Sequence, residues 1–121
     1  MKIHCEIWVA AARLHERGEA PFTRAALVNE VESLFGDNRP GVGTYATAHA
    51  NASTKKANAV VYNYLLTLEP GLYRLCRATD TVDPSRKRCR LFPDQGDVDD
   101  QFWPLLAKWS RWQREQPEAS A

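Results

Sequence analysis

The sequence predicts an α+β fold, mainly helical, with three helices, a β-hairpin and an added C-terminal helix. Three observations predict it. Apolar residues recur at helical spacing in two early segments and a late one, a β-branched and aromatic run lies in the middle, and a Glu-Pro-Gly turn follows that run. The chain has 121 residues, 44% hydrophobic and 26% charged, which is enough for one domain with its own core.

Two helices come first. Residues 3–17 carry apolar side chains every three or four positions until Gly18 interrupts the pattern. Residues 23–35 form the second predicted helix, with Thr23 as its N-cap and Gly36 after its last residue. The short connection between the two is typical of a helix-turn-helix.

A third, alanine-rich helix is predicted at about residues 45–52, with Thr44 as its N-cap. Successive residues of a helix lie 100° apart, which defines two faces. The face toward the core holds Tyr45, Ala48 and Ala52. The outward face holds Thr47, Ala50 and Thr54, with Asn51 at its edge.

A β-hairpin is predicted next, with residues 60–68 and 72–77 as its strands and a turn at 69–71. Alternation in the second strand would point Arg74 outward. The apolar spacing also fits a helix over 54–68, in which case 72–77 would pair with 88–92. We prefer the hairpin, although periodicity alone leaves both open.

A last amphipathic helix is predicted at 97–114, after a domain spanning 1–96, and 115–121 are expected to be a disordered tail. Its apolar stripe has two interpretations: it packs back on the first helix, or it forms a dimer or partner interface. We prefer packing. The stripe residues are Phe102, Trp109 and Trp112.

The charges are unevenly distributed along the chain. Residues 39–90 carry nine basic and three acidic side chains, a net charge of +6. Residues 1–38 carry four basic and six acidic ones, and residues 91–121 three and six, giving −2 and −3. A basic middle between acidic ends is typical of a polyanion-binding face.

The sequence lacks the motifs that would indicate several other functions. No nucleotide-binding glycine motif, metal-binding spacing or nucleophile motif is present, so we expect no cofactor, no metal and no enzymatic activity. The three cysteines do not have the C-x-x-C spacing of a metal or redox site, and we predict that they are reduced thiols. Without an apolar run long enough for a membrane span or signal peptide, we expect a cytoplasmic protein.

The order of predicted elements is that of a winged helix-turn-helix with an added C-terminal helix. Residues 3–77 resemble a family of small winged helix-turn-helix domains. The resemblance is carried by Phe22 and Thr23, by "GTYATAH" with Gly43, Thr44 and His49, and by the "GLYRL" segment at 71–75. Such domains occur alone or joined to restriction-type nucleases and other prokaryotic defence proteins, which implies DNA binding. In this chain Glu69 and Pro70 replace the usual basic hairpin tip.

DNA binding would place the third helix in the major groove. Its outward side chains are short, and Asn51 alone suits adenine, so we expect phosphate-dominated binding of duplex DNA with modest base preference. Residues 86–88 are expected on a mobile basic loop. The candidate contacts are Arg39, Thr44, Thr47, Asn51, Ser53, Thr54, Lys55, Lys56, Arg74, Arg77, Arg86, Lys87 and Arg88. The alternative function is a protein interaction or dimerisation module that does not bind DNA.

Overall fold

The computed structural model describes residues 1–36, 41–44, 46, 49–56 and 62–115. These residues form an α+β structure in which three long helices pack with a two-stranded antiparallel hairpin. The helices are α1 (Ile3–Glu16), α2 (Arg24–Phe35), the short α3 (Val42–Thr44) and α4 (Trp103–Arg114), and the strands are β1 (Leu65–Glu69) and β2 (Leu72–Leu75). Three-residue 3₁₀ turns lie at Pro84–Arg86, Gln95–Asp97 and Asp100–Phe102.

Helix α1 is the centre of the core. Its residues from Ile7 to Ala12 are fully buried, and it contacts α2, α4 and β2. Three consecutive alanines, at 10–12, let neighbouring elements approach its backbone closely. The prediction of a helix over 3–17 is confirmed, with its end one residue earlier, at Glu16.

Helix α2 begins and ends where the sequence predicts. The Thr23 hydroxyl accepts a hydrogen bond from the Ala26 amide at 3.1 Å, and Gly36 follows the helix with a φ of 100°. Just before the cap, Phe22 exchanges backbone hydrogen bonds of 2.9 and 2.8 Å with Tyr73. These bonds tie the start of α2 to β2.

The predicted hairpin is confirmed. Leu65 pairs with Leu75, and the turn ends at Gly71, whose φ of 84° favours glycine. Strand β1 begins at Leu65 rather than at residue 60, and residues 57–61 lie outside the described part of the chain. The alternative prediction, a helix over 54–68 with 72–77 paired to 88–92, is wrong where the structure describes these residues. Residues 65–68 form a strand, and Arg90 forms a β-bridge with Tyr62 rather than with β2.

The prediction of a helix extending to residue 52 is wrong at its C-terminal end. The amide of Leu65 donates to the Ala50 carbonyl at 2.9 Å, and the amide of Ala52 donates to the Leu65 carbonyl at 2.7 Å. This pairing with β1 replaces helical hydrogen bonds, so Ala50, expected to point outward, is fully buried. Ala52 is buried as predicted. Tyr45, Thr47 and Ala48 lie outside the described residues.

The last helix packs on α1, which is the preferred alternative for its aromatic stripe. Phe102 is buried against Phe35, and the rings of Trp109 and Trp112 lie 5.0 and 5.1 Å from the His15 ring. The helix begins at Trp103 rather than at 97, because Pro104 suits only a first turn. Residues 116–121 lie outside the described part, so the disordered tail stays a prediction.

No helix within the described ranges has both the length and the apolar character needed to cross a membrane.

Candidate nucleic-acid interface

Two basic segments that are about thirty positions apart in the sequence meet at one shallow groove. Its volume is about 310 Å³, and its lining includes Lys56, Ser85, Lys87, Arg88 and Cys89. One segment follows the pairing of residues 50–52 with β1, and the other follows the 3₁₀ turn Pro84–Arg86. The fold therefore brings Lys56 close to Lys87 and Arg88, although these residues are far apart in the sequence.

Hydrogen bonds around Ser85 join the two segments. The Lys56 amide donates to the Ser85 hydroxyl at 2.8 Å, and that hydroxyl donates to a carboxylate oxygen of Asp83 at 2.6 Å. Asp83 also accepts from the Ser85 amide at 3.0 Å as the N-cap of the turn, and the bonds from Ser85 lower the pKa of Asp83. The backbone amide of Asp83 donates a hydrogen bond to the Ala52 carbonyl at 2.9 Å. The groove thus has a defined backbone geometry.

Arg86 lies beneath the groove with no exposed surface. Its guanidinium donates to the carbonyl oxygens of Thr54 at 2.6 Å, Tyr62 at 2.7 Å and His49 at 3.2 Å. Burial lowers the pKa of Arg86. The expectation of a phosphate contact on a mobile loop is wrong for this side chain, because all its donors point into the protein. Arg86 instead fixes 49–54 against the turn that carries Lys87 and Arg88.

Four cations remain on the surface. Lys55, Lys87 and Arg88 are exposed and Lys56 is half-buried. Among the residues that the structure describes, these four make no ion pair. The Asp83 carboxylate lies close enough to Lys55 for their charges to interact. Lys56, Lys87 and Arg88 are therefore the cations best placed to attract a phosphate at long range and bind it in contact.

Asn51 is not available to recognise adenine. It is 3% exposed, its side-chain amide donates to the Thr67 hydroxyl at 2.8 Å, and its side-chain oxygen accepts from the Ser53 amide at 3.0 Å. The neighbouring hydroxyls are also engaged: Thr54 donates to the Asn51 carbonyl at 2.9 Å, and Ser53 accepts from the Thr67 amide at 3.1 Å. The segment therefore holds the edge of the hairpin instead of presenting a helical reading face.

Arg74 and Arg77 also have internal partners. Arg74 makes two hydrogen bonds of 2.7 Å to the Asp80 carboxylate, which raise its pKa, so the prediction that it points freely outward is wrong. Arg77 stacks over Trp112 at 4.2 Å and donates at 3.1 Å to the carbonyls of Trp112 and Glu115. It therefore binds the C-terminus of α4.

The remaining predicted contacts are Arg39, Thr44 and Thr47. Arg39 and Thr47 lie outside the described residues, and Thr44 is described by its backbone alone. Their contacts stay predictions. The sequence reasoning missed Asp83 and Ser85, although "DPS" is a recognisable start of a helical turn, with an aspartate cap before a proline.

His4 and Cys5 are adjacent in the sequence, and their side chains also meet in the fold. Cys5 Sγ lies 3.5 Å from His4 Nδ1, which is also 3.3 Å from the Tyr64 hydroxyl. Burial raises the pKa of the Cys5 thiol to about 11 and lowers the pKa of His4. Cys5 is thus a thiol, not a thiolate nucleophile, at neutral pH. No group of three or more potential metal ligands occurs within the described ranges.

Comparison of the chain with protein-family models, with curated proteins and with solved structures found no match.

Proposed function

We propose that this chain is a non-enzymatic DNA-binding protein of winged helix-turn-helix layout that holds duplex DNA by its phosphates. The observation that carries the proposal is the convergence of Lys56, Lys87 and Arg88 on one groove, with the exposed Lys55 next to Lys56 in the chain and without ion pairs among the described residues. Phosphate contacts supply most of the affinity of sequence-independent binding.

The layout also favours this proposal. Helices α1 and α2, the short α3 and the hairpin follow one another in the order of a winged helix, and the Phe22–Tyr73 bonds join helix and hairpin. Glu69 at the hairpin turn is acidic and exposed, so the groove is a better phosphate site than the wing. Buried Asn51 removes the one candidate for bidentate base reading, and the proposed base preference is therefore small.

The resemblance over residues 3–77, about two thirds of the chain, suggests the setting. A small winged-helix protein of this kind would act as a transcriptional regulator or as an accessory of a prokaryotic defence system. Both roles need only binding, and both are part of the proposal.

Fluorescence anisotropy with a labelled DNA duplex at ~50 mM and ~200 mM salt tests it. Four phosphate contacts give a slope of about −3.6 in log affinity against log salt, so the affinity should fall by about 150-fold. No binding at ~50 mM salt, or a fall of less than about threefold, would favour the interaction-module alternative.

A pair of charge reversals tests the location. Lys87→Glu with Arg88→Glu should weaken binding to all duplex sequences about equally and reduce the salt slope by about two. The matched control is Lys2→Glu with Arg111→Glu, which changes the net charge equally at two exposed positions away from the groove. Equal losses in both variants would mean that net charge alone, rather than the groove, attracts DNA.

A further inference from the structure

A second groove lies where the start of α2, the short α3 and the hairpin turn meet. Its volume is about 580 Å³. Among the described residues that line it, Arg24 is the only charged one, and three of the others are glycines. The lining residues that matter for its chemistry are Thr23, Arg24, Asn29, Gly41, Gly43 and Gly71. The groove therefore has a cation and no carboxylate on its described walls.

Arg24 occupies an unfavourable position for a cation. It is the first residue of α2, where the backbone N–H groups already give the helix end a partial positive charge, and the first turn contains no acidic residue. The Arg24 side chain is exposed and makes no ion pair with any described residue. Nothing in the described fold compensates this charge, so the position favours an anion from outside the chain.

The guanidinium of Arg24 lies directly against Gly43. A Cβ atom at position 43 would come within 2.5 Å of Arg24 Cζ and 2.6 Å of Arg24 Nε. Gly43 is buried, so the guanidinium rests on the backbone of α3 at the wall of the groove. A planar fork of donors held against a wall loses little freedom when it binds a ligand.

Two neutral side chains supply further hydrogen-bond donors. Asn29 is exposed, and its amide group carries two N–H donors. The Thr23 hydroxyl accepts a hydrogen bond from the Ala26 amide and keeps its own hydrogen for donation. Because the glycines add no side chains to the walls, a ligand can approach the backbone closely. A guanidinium with neutral donors beside it is well suited to the oxygens of a phosphate group.

We infer that this groove holds a phosphate of the same DNA duplex that binds at the groove beside Lys56, an inference that rests on the proposed function. The hairpin connects the two grooves. Gly71 lines the second groove, and the amide of Thr67, four residues earlier, donates to the Ser53 hydroxyl at 3.1 Å. Lys56 follows Ser53 by three residues. These steps span at most about 30 Å of backbone, and one turn of duplex covers about 34 Å, so Arg24 is an additional phosphate contact.

Anisotropy with a labelled duplex tests the inference with Arg24→Gln. Loss of one phosphate contact should weaken binding to all duplex sequences by about five- to tenfold at ~50 mM salt and reduce the salt slope by about one. The thermal midpoint should stay unchanged or rise, because a cation leaves the start of α2. Arg111→Gln removes an equal charge from an exposed position on α4 and is the control.

The outcomes separate this inference from the proposed function. If Arg24→Gln keeps the wild-type affinity and salt slope, the inference is overturned and the proposed function stands. If the wild-type protein binds no duplex, the proposed function fails and the inference fails with it. A lower thermal midpoint together with weaker binding would make Arg24 a structural residue and also overturn the inference.

A second pair of variants leaves every charge in place. Gly43→Ala puts a methyl group where the Arg24 guanidinium lies, so this flexible side chain must move, and duplex binding should weaken to about the level of Arg24→Gln. Gly96→Ala is the control, because a Cβ there meets nothing within 4 Å. Wild-type affinity of Gly43→Ala would contradict the position of the contact. Titration with inorganic phosphate adds one arm: binding that Arg24→Gln abolishes, without any change in duplex affinity, would assign the groove to a free phosphate compound and overturn the inference.

Discussion

His15 is a histidine whose protonation state is set by burial. Its Nε2 accepts a hydrogen bond from the Leu75 amide at 2.9 Å, and its ring lies against Trp109 and Trp112. Burial, together with the smaller effect of the positive charge of Arg74, lowers the pKa of His15 from 6.5 to about 4. Between these two pH values the unfolded chain binds a proton that the folded protein excludes.

The free energy of unfolding should therefore fall as the pH drops from 6.5 to about 4, and His15 should account for about 3 kcal/mol of that fall. Above pH 6.5 its contribution is fully present. Urea denaturation at several pH values measures this, with His15→Gln as the comparison because its amide oxygen can accept the same hydrogen bond without titrating. The wild-type protein and the His15→Gln variant share all other titrating groups, so the difference between their pH profiles reports on His15. Parallel pH profiles would show that His15 is not the group responsible.

The buried guanidinium of Arg86 stabilises the backbone beneath the basic groove. Replacing it by methionine should leave three backbone carbonyls without their donor and destabilise the protein by at least about 3 kcal/mol. Arg86→Lys should retain only part of the stability lost in the methionine variant, because an ammonium group lacks the planar fork of donors. Arg88→Met at the exposed neighbour is the control and should change the free energy of unfolding by under about 0.5 kcal/mol. Thermal and urea denaturation give these values, and equal stability of the two methionine variants would contradict the assigned role.

The sequence does not distinguish Arg86 from its neighbours. In "RKRCR" four side chains have the same charge and similar length, and local pattern treats them alike. Burial of one of them depends on carbonyl groups at 49, 54 and 62, which approach it only in the folded chain. The basic character of the site could thus be predicted, but not which cations face solvent. The same limit applies to Arg74 and Arg77, whose partners Asp80 and Trp112 are known only from the fold.

The helices and the hairpin differ in how far local sequence determined them. Caps and periodicity placed α1, α2 and the hairpin correctly, because their hydrogen bonds join residues close in sequence. The segment 50–52 has helix-forming alanines, yet its backbone pairs with Leu65. A non-local partner outweighed a weak local preference, and a one-dimensional pattern contains no sign of that partner.

Helix α4 is positioned by one fully buried glutamine. Gln113 accepts a hydrogen bond from the Trp8 indole at 3.0 Å and donates to the carbonyls of Cys76 at 2.9 Å and Leu91 at 2.7 Å. These three bonds attach the end of α4 to α1, to the residue that follows β2 and to Leu91. The contact between Arg77 and the C-terminus of α4 depends on this attachment.

Gln113→Met has a similar length but satisfies none of the three partners, and should destabilise the protein by roughly 3 kcal/mol. Gln113→Glu keeps an acceptor for Trp8 while placing a carboxylate against two carbonyls, and should be at least as harmful. Arg111→Met, exposed on the same helix, controls for helix propensity. The midpoints of thermal unfolding would reveal the order, and a Gln113→Met protein as stable as the control would disprove the attachment.

The described part of the molecule separates its charges, with cations at 55–56 and 87–88 and exposed carboxylates at 97, 99 and 100. The formal net charge of +1 conceals both. If the proposed DNA binding is correct, the cations act in contact while the carboxylates act only through the long-range field. Salt separates the two effects, because the screening length falls from about 30 Å at 0.01 M to under about 10 Å at 0.2 M.

Replacing Asp97, Asp99 and Asp100 together by asparagine raises the net charge by three without adding a phosphate contact. We expect the association rate constant with duplex DNA to rise severalfold at ~10 mM salt and by less than about 1.5-fold at ~200 mM. Stopped-flow anisotropy measures it. Lys87→Gln with Arg88→Gln, which removes contacts, should weaken equilibrium binding at both salt concentrations. If the association rate constant of the asparagine variant instead rises as much at ~200 mM as at ~10 mM, long-range attraction is not the cause, and the three carboxylates lie against the bound DNA.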